Sequence, residues 1–317
     1  MKKIIYLLLT VAFPSCNYHF ELDGVDATEK LVLYCFPSNS DTTVIQLSRS
    51  VPVNKKEPSD KNMRNADIHL TVNEEEQAIY WNEDPTSTLP AQCYYTLRKW
   101  KPDDCLQLQA NVKDMPVITA KTTMPGNFPL EEIRMIPKKG SKNTLQVLIT
   151  FNDDSATKDH YGIRLVKKRI TRSDDEENVS FHSVEFDLKD EPLLNNLSDL
   201  DEIFMSSNHF FQDLYIWDDT EIQGRKYTLR LNTDYQEDFE VNWDNYNFSL
   251  SLQYKIYLYR LSPEFYNYFK TLNTINNNDL GNHGFSPTFL HYTNVSGGIG
   301  VMGGCRITET EWLKNAH

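Results

Sequence analysis

Six residues near the end of the chain, Gly298 to Gly303, read GIGVMG and match the spacing G-x-G-x-x-G. In dinucleotide-binding folds such glycines let the backbone approach a pyrophosphate between a strand and a helix. That fingerprint also needs an acidic residue about 20 positions further on, within a βαβ unit. Only 14 residues follow Gly303. We therefore expect a closing strand whose glycines allow close backbone packing, and no cofactor.

Acidic residues cluster at two places that could hold a cation. Asp153, Asp154 and Asp159 lie near a predicted strand end, and residues 174–177 read DDEE. A calcium loop alternates oxygen ligands around a glycine turn, as in D-x-[DN]-x-[DN]-G, and neither stretch has that pattern. We expect both to be solvated hairpin tips, and we expect no metal site.

The segment 209–219, HFFQDLYIWDD, combines aromatic rings with carboxylates. Tyr215 and Trp217 are the candidate ligand-binding residues, because ring faces stack on sugar faces; the alternative is that they fill a buried strand or turn. Asp213, Asp218 and Asp219 could act as glycosidase carboxylates, but nothing fixes a pair at the separation which that reaction needs. The motifs G-x-S-x-G and H-E-x-x-H do not occur. We name no catalytic residue and expect a non-enzymatic protein.

The N-terminus has the pattern of an export signal. Lys2 and Lys3 precede a short apolar run that ends at Phe13, and Ser15-Cys16 follows. A run of this length matches a signal peptide and is too short for a membrane-spanning helix. A cysteine at the cleavage point predicts a bacterial lipoprotein in which Cys16 is lipidated, holding the protein on a membrane surface. The alternative is an ordinary secretory signal that contains a cysteine.

The net charge limits the possible partners of the protein, and the cysteine content bears on its disulfide bonds. The formal net charge of −13 repels phosphate backbones and excludes nucleic acid as an expected partner. Besides Cys16, four cysteines remain in a compartment that permits disulfides, and four cysteines allow three pairings. We favour Cys93 with Cys105, because they flank a predicted hairpin. Their spacing fits no zinc motif of paired C-x-x-C.

Period-two alternation of apolar and polar residues dominates the chain. In residues 248–258, six apolar side chains from Phe248 to Leu258 fall on one face, which predicts a half-buried strand. Similar runs cover residues 144–151, 226–232, 105–112, 30–36, 42–48, 67–72 and 161–168. Many short strands separated by turn signals are typical of antiparallel sandwiches or barrels. The predicted fold class is therefore all-β and mainly antiparallel.

One helix is predicted at residues 262–272. Ser262 suits the N-cap, Pro263 suits the first helical position, and Phe265, Tyr268, Phe269 and Leu272 form an apolar stripe.

The length of the chain suggests two domains, with a boundary near Met124-Pro125-Gly126. We predict a signal peptide at 1–15, a tether at 16–28, and an N-terminal immunoglobulin-like β-sandwich at 29–125. A mainly-β, sandwich-like domain with one or two short helices follows at 126–317.

The order of several segments resembles a family of Bacteroidota lipoproteins catalogued as domain of unknown function 4249. These segments are VITAKTTMP (117–125), FNDDSATKDHYGIRL (151–165), FFQDLYIWDDTEIQGRKYTLRL (210–231), LYRLSPEFYNYFKTL (258–272) and FSPTFLHYTNVSGGIGVMGG (285–304). The most specific parts are 261–266 and 294–304, although Val301-Met302 replaces the aromatic residue usual in that family.

The resemblance implies an outer-membrane lipoprotein, often encoded beside TonB-dependent receptors, and it carries over no catalytic residue. We therefore expect a binding or accessory component of TonB-dependent nutrient uptake, with the membrane and such a receptor as partners. The alternatives are a structural adhesin or pilus-type β-sandwich protein, or a hydrolase without a recognisable motif. The segment 17–23 contains only two acidic residues, so the periplasmic and cell-surface sides of the membrane both stay open.

Overall fold

The computed structural model describes residues 28–51, 63–86, 89–173, 176–194, 210–243, 246–277 and 290–314. Cys16 and the predicted signal segment 1–15 lie outside these residues. Strands dominate the regular secondary structure of the described chain, which also contains one α-helix and a short 3-10 turn at Phe211–Asp213. The prediction of an all-β, mainly antiparallel and sandwich-like fold is confirmed.

The first core is enclosed by two sheets, whose strand orders are β17-β1-β2-β6-β5 and β4-β3-β7-β8. Their strands are β1 (Leu31–Cys35), β2 (Thr42–Arg49), β3 (Asp67–Val72), β4 (Glu75–Gln77), β5 (Tyr80–Asn82), β6 (Cys93–Leu97), β7 (Cys105–Asn111), β8 (Ile118–Thr123) and β17 (Ile299–Met302). Leu33, Leu70 and Leu106 are fully buried between the two sheets. Alternation of apolar and polar residues places these side chains on the inner faces.

The second core lies between a small sheet of order β14-β10-β9 and a large sheet of order β12-β11-β16-β15. In the large sheet β13 also pairs with β11, and β18 and β19 pair with β16. The strands are β9 (Leu130–Pro137), β10 (Thr144–Asn152), β11 (His160–Ser173), β12 (Glu176–Ser183), β13 (Tyr215–Asp218), β14 (Lys226–Asp234), β15 (Phe239–Trp243), β16 (Tyr246–Leu261), β18 (Cys305–Glu309) and β19 (Leu313–Lys314).

Strand β16 confirms the clearest alternation in the sequence. Every second residue from Leu250 to Leu258 is at most 2 % exposed and packs in the second core. Burial of each aliphatic side chain of this size stabilises the fold by about 1.5–3 kcal/mol. The residues between them face outwards, so β16 separates the core from an outer surface. β11 pairs with β16 along its whole length, from His160 opposite Leu261 to Ser173 opposite Phe248.

Helix α1 (Pro263–Asn276) begins where the sequence predicts and extends four residues beyond the predicted end. The hydroxyl of Ser262 accepts a hydrogen bond from the Phe265 N–H at 3.3 Å, which satisfies one of the free donors of the first turn. Phe265 and Phe269 stack with centroids 4.7 Å apart. They pack on β13 and the end of β16 through a third apolar cluster. Phe36, just after β1, lies edge-on to Phe265, with ring centroids 5.2 Å apart. Helix α1 therefore contacts the segment after β1 as well as β13 and β16.

The glycine-rich segment forms β17, as the structural interpretation predicts. β17 lies parallel to β1 at the edge of the first sheet, with Gly300 opposite Leu33. Gly300 has φ +112, and a Cβ there would overlap the Leu33 carbonyl oxygen. A Cβ at Gly303 would lie 2.8 Å from the Phe265 backbone nitrogen. Both glycines therefore allow close backbone packing, and Gly300 does so in a conformation that other residues rarely adopt.

The division of the chain at residue 125 stays a prediction. Strands on the two sides of that position sort into different cores, except that β17 returns from the C-terminal end to the first sheet.

The disulfide predicted between Cys93 and Cys105 is not formed in this structure. Both residues are free cysteines, and they begin β6 and β7, which belong to different sheets. The segment between them crosses from one sheet to the other, so it is not the hairpin on which the pairing was based. Cys35 and Cys305 are also free, and burial raises the pKa of each thiol to about 12.

Candidate functional site

Three chain segments bring charged residues together where one end of the large sheet meets the end of β10 in the small sheet. β10 ends at Asn152, β11 begins at His160, and β13 ends at Asp218. His160 is the register partner of both Asp218 and Leu261. Residues just outside these strand ends therefore meet beside the first turn of α1.

Asp153, Asp159 and Asp219 form a buried carboxylate cluster at this point. They are 4 %, 5 % and 4 % exposed, and one carboxylate oxygen of each lies within 4.8 Å of the other two. The prediction that Asp153 and Asp159 belong to a solvated hairpin tip is wrong. It fails because Asp219, sixty residues later in the chain, closes over them; Asp154 is exposed, as expected.

Protein donors already engage the carboxylate cluster. Asp153 accepts hydrogen bonds from the Tyr161 hydroxyl at 2.5 Å and from the Gly224 N–H at 2.8 Å. Asp159 pairs with the Arg260 guanidinium and accepts a hydrogen bond from the Thr157 hydroxyl. These bonds offset the cost of burying the carboxylates.

The spacing of the three carboxylates is compatible with an oxygen-liganded cation such as Ca²⁺. A cation there would compete with the bonds that the protein makes to the same groups. The observed bonds join residues 153–159 to the turn at 219–224, so the arrangement supports a structural role, and we assign it no ligand.

A cleft of about 520 Å³ opens next to the carboxylate cluster, between α1 and β13. It is lined by Pro192, Leu193, Phe210, Ile216, Trp217, Asp218, Thr220, Glu221, Tyr266, Lys270, Asn273, Thr274 and Asn277. Its polar groups come from α1, the end of β13 and the following turn. We call it the helix cleft.

Asp218 and Tyr266 are fixed in the helix cleft by their own bonds. The Tyr266 hydroxyl donates to Asp218 at 3.0 Å, and the Thr220 N–H donates to the same carboxylate at 3.1 Å. Burial acts to raise the pKa of Asp218, but these bonds and the nearby charge of Lys270 outweigh it, so the pKa is lowered. Burial and the Asp218 charge raise the pKa of Tyr266. At neutral pH the cleft therefore presents a carboxylate and a protonated phenol.

Two further side chains define the charge around Tyr266. The Lys270 ammonium lies over the Tyr266 ring, 5.5 Å from its centroid. The His160 ring packs on Tyr266 with centroids 4.4 Å apart. Burial lowers the pKa of His160 in spite of Asp218, Asp219 and Asp159, which favour its charged form. The site thus combines one neutral imidazole with charges of both signs.

Tyr215 and Trp217, the candidate ligand-binding residues, lie in the second core at 4 % and 2 % exposure. Trp217 packs against Tyr161 with centroids 5.7 Å apart, and the Tyr215 hydroxyl accepts a hydrogen bond from the Phe186 N–H at 2.9 Å. Core side chains therefore cover these rings, which agrees with the alternative that they fill a buried strand. Trp217 still contributes to the cleft lining.

Tyr266 and Lys270 were not predicted as site residues. Helical spacing places them one turn apart on α1, but the apolar stripe of that helix predicts only a packing role. Asp218 was considered as a carboxylate; its hydrogen bond to Tyr266, 48 positions away, is not visible in the sequence.

These features define a class: a mainly antiparallel β protein with two sandwich-like cores, one helix at their junction, and a polar cleft beside that helix. The family model for a domain of unknown function (DUF4249) matches residues 17–311. The chain belongs to that family. No curated protein matches it.

Within the described part of the chain, no helix combines the length and hydrophobicity required to span a bilayer.

Proposed function

We propose that the protein is a non-enzymatic, membrane-anchored binding protein that assists a TonB-dependent receptor in nutrient uptake. In this proposal Cys16 carries the lipid, and the described chain binds a small polar molecule at the outer membrane. The lipoprotein-type N-terminus and the resemblance described above support a location at the membrane. The helix cleft supports a ligand-binding activity.

The observation that carries the proposal is the fixed pair of Asp218 and Tyr266 in a cleft of about 520 Å³. Ligand sites are typically concave, measure about 300–1,000 Å³ and contain a few polar groups in set positions. Because the pair is held by protein bonds, a ligand does not have to order these side chains when it binds.

The charges of the helix cleft favour a small ligand with both donors and acceptors. Asp218 accepts, Lys270 donates, and Asn273 and Thr274 add neutral polar groups to the lining. A ligand with several hydroxyl or amino groups would satisfy them. The net charge of −13 disfavours nucleic acid as the ligand.

The ionisation states of Asp218 and Tyr266 favour binding over proton transfer by these two groups. The pKa of Tyr266 is raised and that of Asp218 is lowered, so each group holds its protonation state near neutral pH. General acid–base catalysis works best with a group whose pKa lies near the working pH.

A growth experiment in the bacterium that encodes the protein tests the proposal. The gene is deleted, and growth is measured on a panel of single nutrients. We expect slower growth on at least one nutrient, restored by the wild-type gene and by Lys139→Gln, an exposed lysine outside the site. Cys16→Ala and Lys270→Gln should restore it less well, because they remove the anchor and a cleft cation.

Unchanged growth of the deletion strain on every nutrient would contradict an uptake role. Full rescue by Cys16→Ala would contradict the anchored form. Equal rescue by Lys270→Gln and Lys139→Gln would separate the uptake role from the helix cleft.

A further inference from the structure

A second concave surface lies on the outer face of the large sheet and shares no lining residue with the helix cleft. Arg164 and Val166 of β11 form its base, and Phe181 to Ser183 of β12 form one wall. Tyr257 and Tyr259 of β16 form the other wall. The volume is about 290 Å³. We call this surface the outer groove.

A positioned guanidinium lies in the outer groove. Nε and Nη2 of Arg164 both donate to the Ser183 hydroxyl oxygen, at 3.2 and 2.8 Å. Arg164 is the register partner of Tyr257 on β16, so strands on both sides limit its movement. One edge of the guanidinium is thus held by the protein, and Nη1 has no partner among the described residues. A guanidinium with a free side suits an oxyanion.

The walls of the outer groove are aromatic and carry hydroxyl groups. Phe181 is 58 % exposed, although it is a large apolar side chain. Burial raises the pKa of Tyr259 to about 12, so its phenol keeps its proton and can donate. Aromatic rings pack against the C–H faces of sugars, and hydroxyl groups of Tyr and Ser match sugar hydroxyls.

The electrostatics of the outer groove differ from those of the chain as a whole. Its charged side chain is Arg164, and the described lining contains no carboxylate. Glu309 of β18 is the register partner of Tyr257 on β16. Its carboxylate forms an ion pair with the Lys255 ammonium at 3.0 Å. Lys168 lies near the rim, with its ammonium over the Trp312 ring. A cationic groove in a chain of net charge −13 is complementary to an anion.

We propose that the outer groove binds a carboxylated sugar unit, a uronic acid, with its carboxylate on Arg164 and its ring against the aromatic walls. The carboxylate matches the guanidinium, and the sugar hydroxyls match Ser183 and the two phenols. A flat carboxylate without hydroxyls would leave those polar groups unpaired. This site is separate from the helix cleft and does not depend on the function proposed for that cleft.

A titration of the full-length chain in mild detergent tests the proposal, with galacturonate as the probe. Binding is followed by calorimetry and by ligand-observed NMR. Galactose keeps the ring and removes the carboxylate, whereas benzoate keeps a carboxylate and removes the hydroxyls. We expect saturable galacturonate binding in the millimolar range or tighter, and at least about tenfold weaker binding of both comparison ligands.

Variants assign the binding to the outer groove. Arg164→Gln should weaken galacturonate binding about tenfold or more. Arg172→Gln is the matched control, because Arg172 lies eight residues further on the same strand and face, outside the groove, and pairs with Glu177. It should bind as the wild type does. Phe181→Ser changes an exposed side chain and should weaken binding without a change in the unfolding midpoint.

Several outcomes would overturn the proposal. They are the absence of saturable galacturonate binding, equal binding of galactose, and equal or tighter binding of benzoate. Wild-type affinity in Phe181→Ser would also overturn it, and this variant decides the question if Arg164→Gln does not fold. A loss of affinity in Arg172→Gln equal to that in Arg164→Gln would place the effect outside the groove.

Discussion

The carboxylate of Asp219 accepts a hydrogen bond from the backbone N–H of Asp159 at 2.7 Å, across sixty positions of sequence. The Asp219 N–H in turn donates to the Asp159 carbonyl oxygen at 3.1 Å. This reciprocal pair joins the end of β13 to the start of β11 and encloses the carboxylate cluster. It also sets the position of Asp218, which precedes Asp219 and faces the helix cleft.

Asp219→Ala should destabilise the protein, because the buried Asp159 N–H loses the carboxylate that accepts its hydrogen bond. We expect the free energy of unfolding to fall by about 1–3 kcal/mol, measured by urea denaturation. Asp41→Ala, at an exposed turn before β2, is the control and should change stability by less than about 0.5 kcal/mol. Equal free energies of unfolding for the two variants would show that the Asp219 carboxylate does not stabilise the fold.

Ser262→Ala should weaken the junction between the helix and the two cores. The Ser262 hydroxyl caps α1, accepts from the Gly304 N–H at 3.1 Å and lies 3.2 Å from the Thr122 hydroxyl. Loss of an N-cap costs about 0.5–2 kcal/mol, and we expect the upper half of that range. Circular dichroism during urea unfolding measures it, with Ser48→Ala on β2 as the control. A loss no larger than the control's would argue against this role.

Gly300→Ala should be far more disruptive than Gly126→Ala. Gly300 has φ +112, and its missing Cβ leaves room for Leu33, whereas a Cβ at Gly126 would meet nothing within 4 Å. We expect a loss of at least about 2 kcal/mol in the first variant and a change within about 1 kcal/mol in the second. Thermal and urea unfolding compare them. Similar values for both would mean that β17 does not require glycine.

The four cysteines in the described part of the chain should react as free thiols of different accessibility. Cys105 is half-buried, whereas Cys35 and Cys305 are buried and their pKa values are raised to about 12. Iodoacetamide should therefore label Cys105 first in the folded protein, and Cys35 and Cys305 only after unfolding. Mass spectrometry of peptides from unreduced protein measures the labelling of each cysteine. A peptide linked through Cys93 and Cys105 would contradict the free thiols and support the disulfide predicted from the sequence.

Asp190 should contribute to acid sensitivity. Hydrogen bonds from Lys138 and Asn232 hold its pKa below the ordinary value of 3.8. A depressed pKa in the folded state gives stability that is present above the unfolded value and is lost as pH falls through the folded one. Asp190→Asn should therefore show a smaller fall in unfolding midpoint than the wild type below about pH 4. Identical acid limbs in thermal scans from pH 5 to pH 2 would contradict this.

The sequence predicts those parts of the fold whose signal is local. Alternation along β16 and the cap at Ser262 depend on neighbouring residues, and the structure confirms both. The glycines of β17 correctly predict a strand, but nothing near them indicates that β1, at the other end of the chain, is its parallel partner.

The carboxylate cluster and the helix cleft were not predictable for a related reason. Asp153 and Asp159 resemble a solvated tip until Asp219 covers them, and the sequence does not encode that approach in any short pattern. Tyr215 and Trp217 illustrate the converse, because aromatic residues near carboxylates occur in cores as well as at ligand sites.

The return of β17 to β1 has a consequence for how the protein is made. The first sheet begins with β1 (Leu31–Cys35), yet its neighbour β17 (Ile299–Met302) is synthesised only after β2 to β16. Until then, β1 has one open edge, and open strand edges pair readily with other chains. A nascent chain that has not reached β17, or one truncated before it, would therefore expose that edge, so the synthesis of β17 is a step in protecting β1 from aggregation.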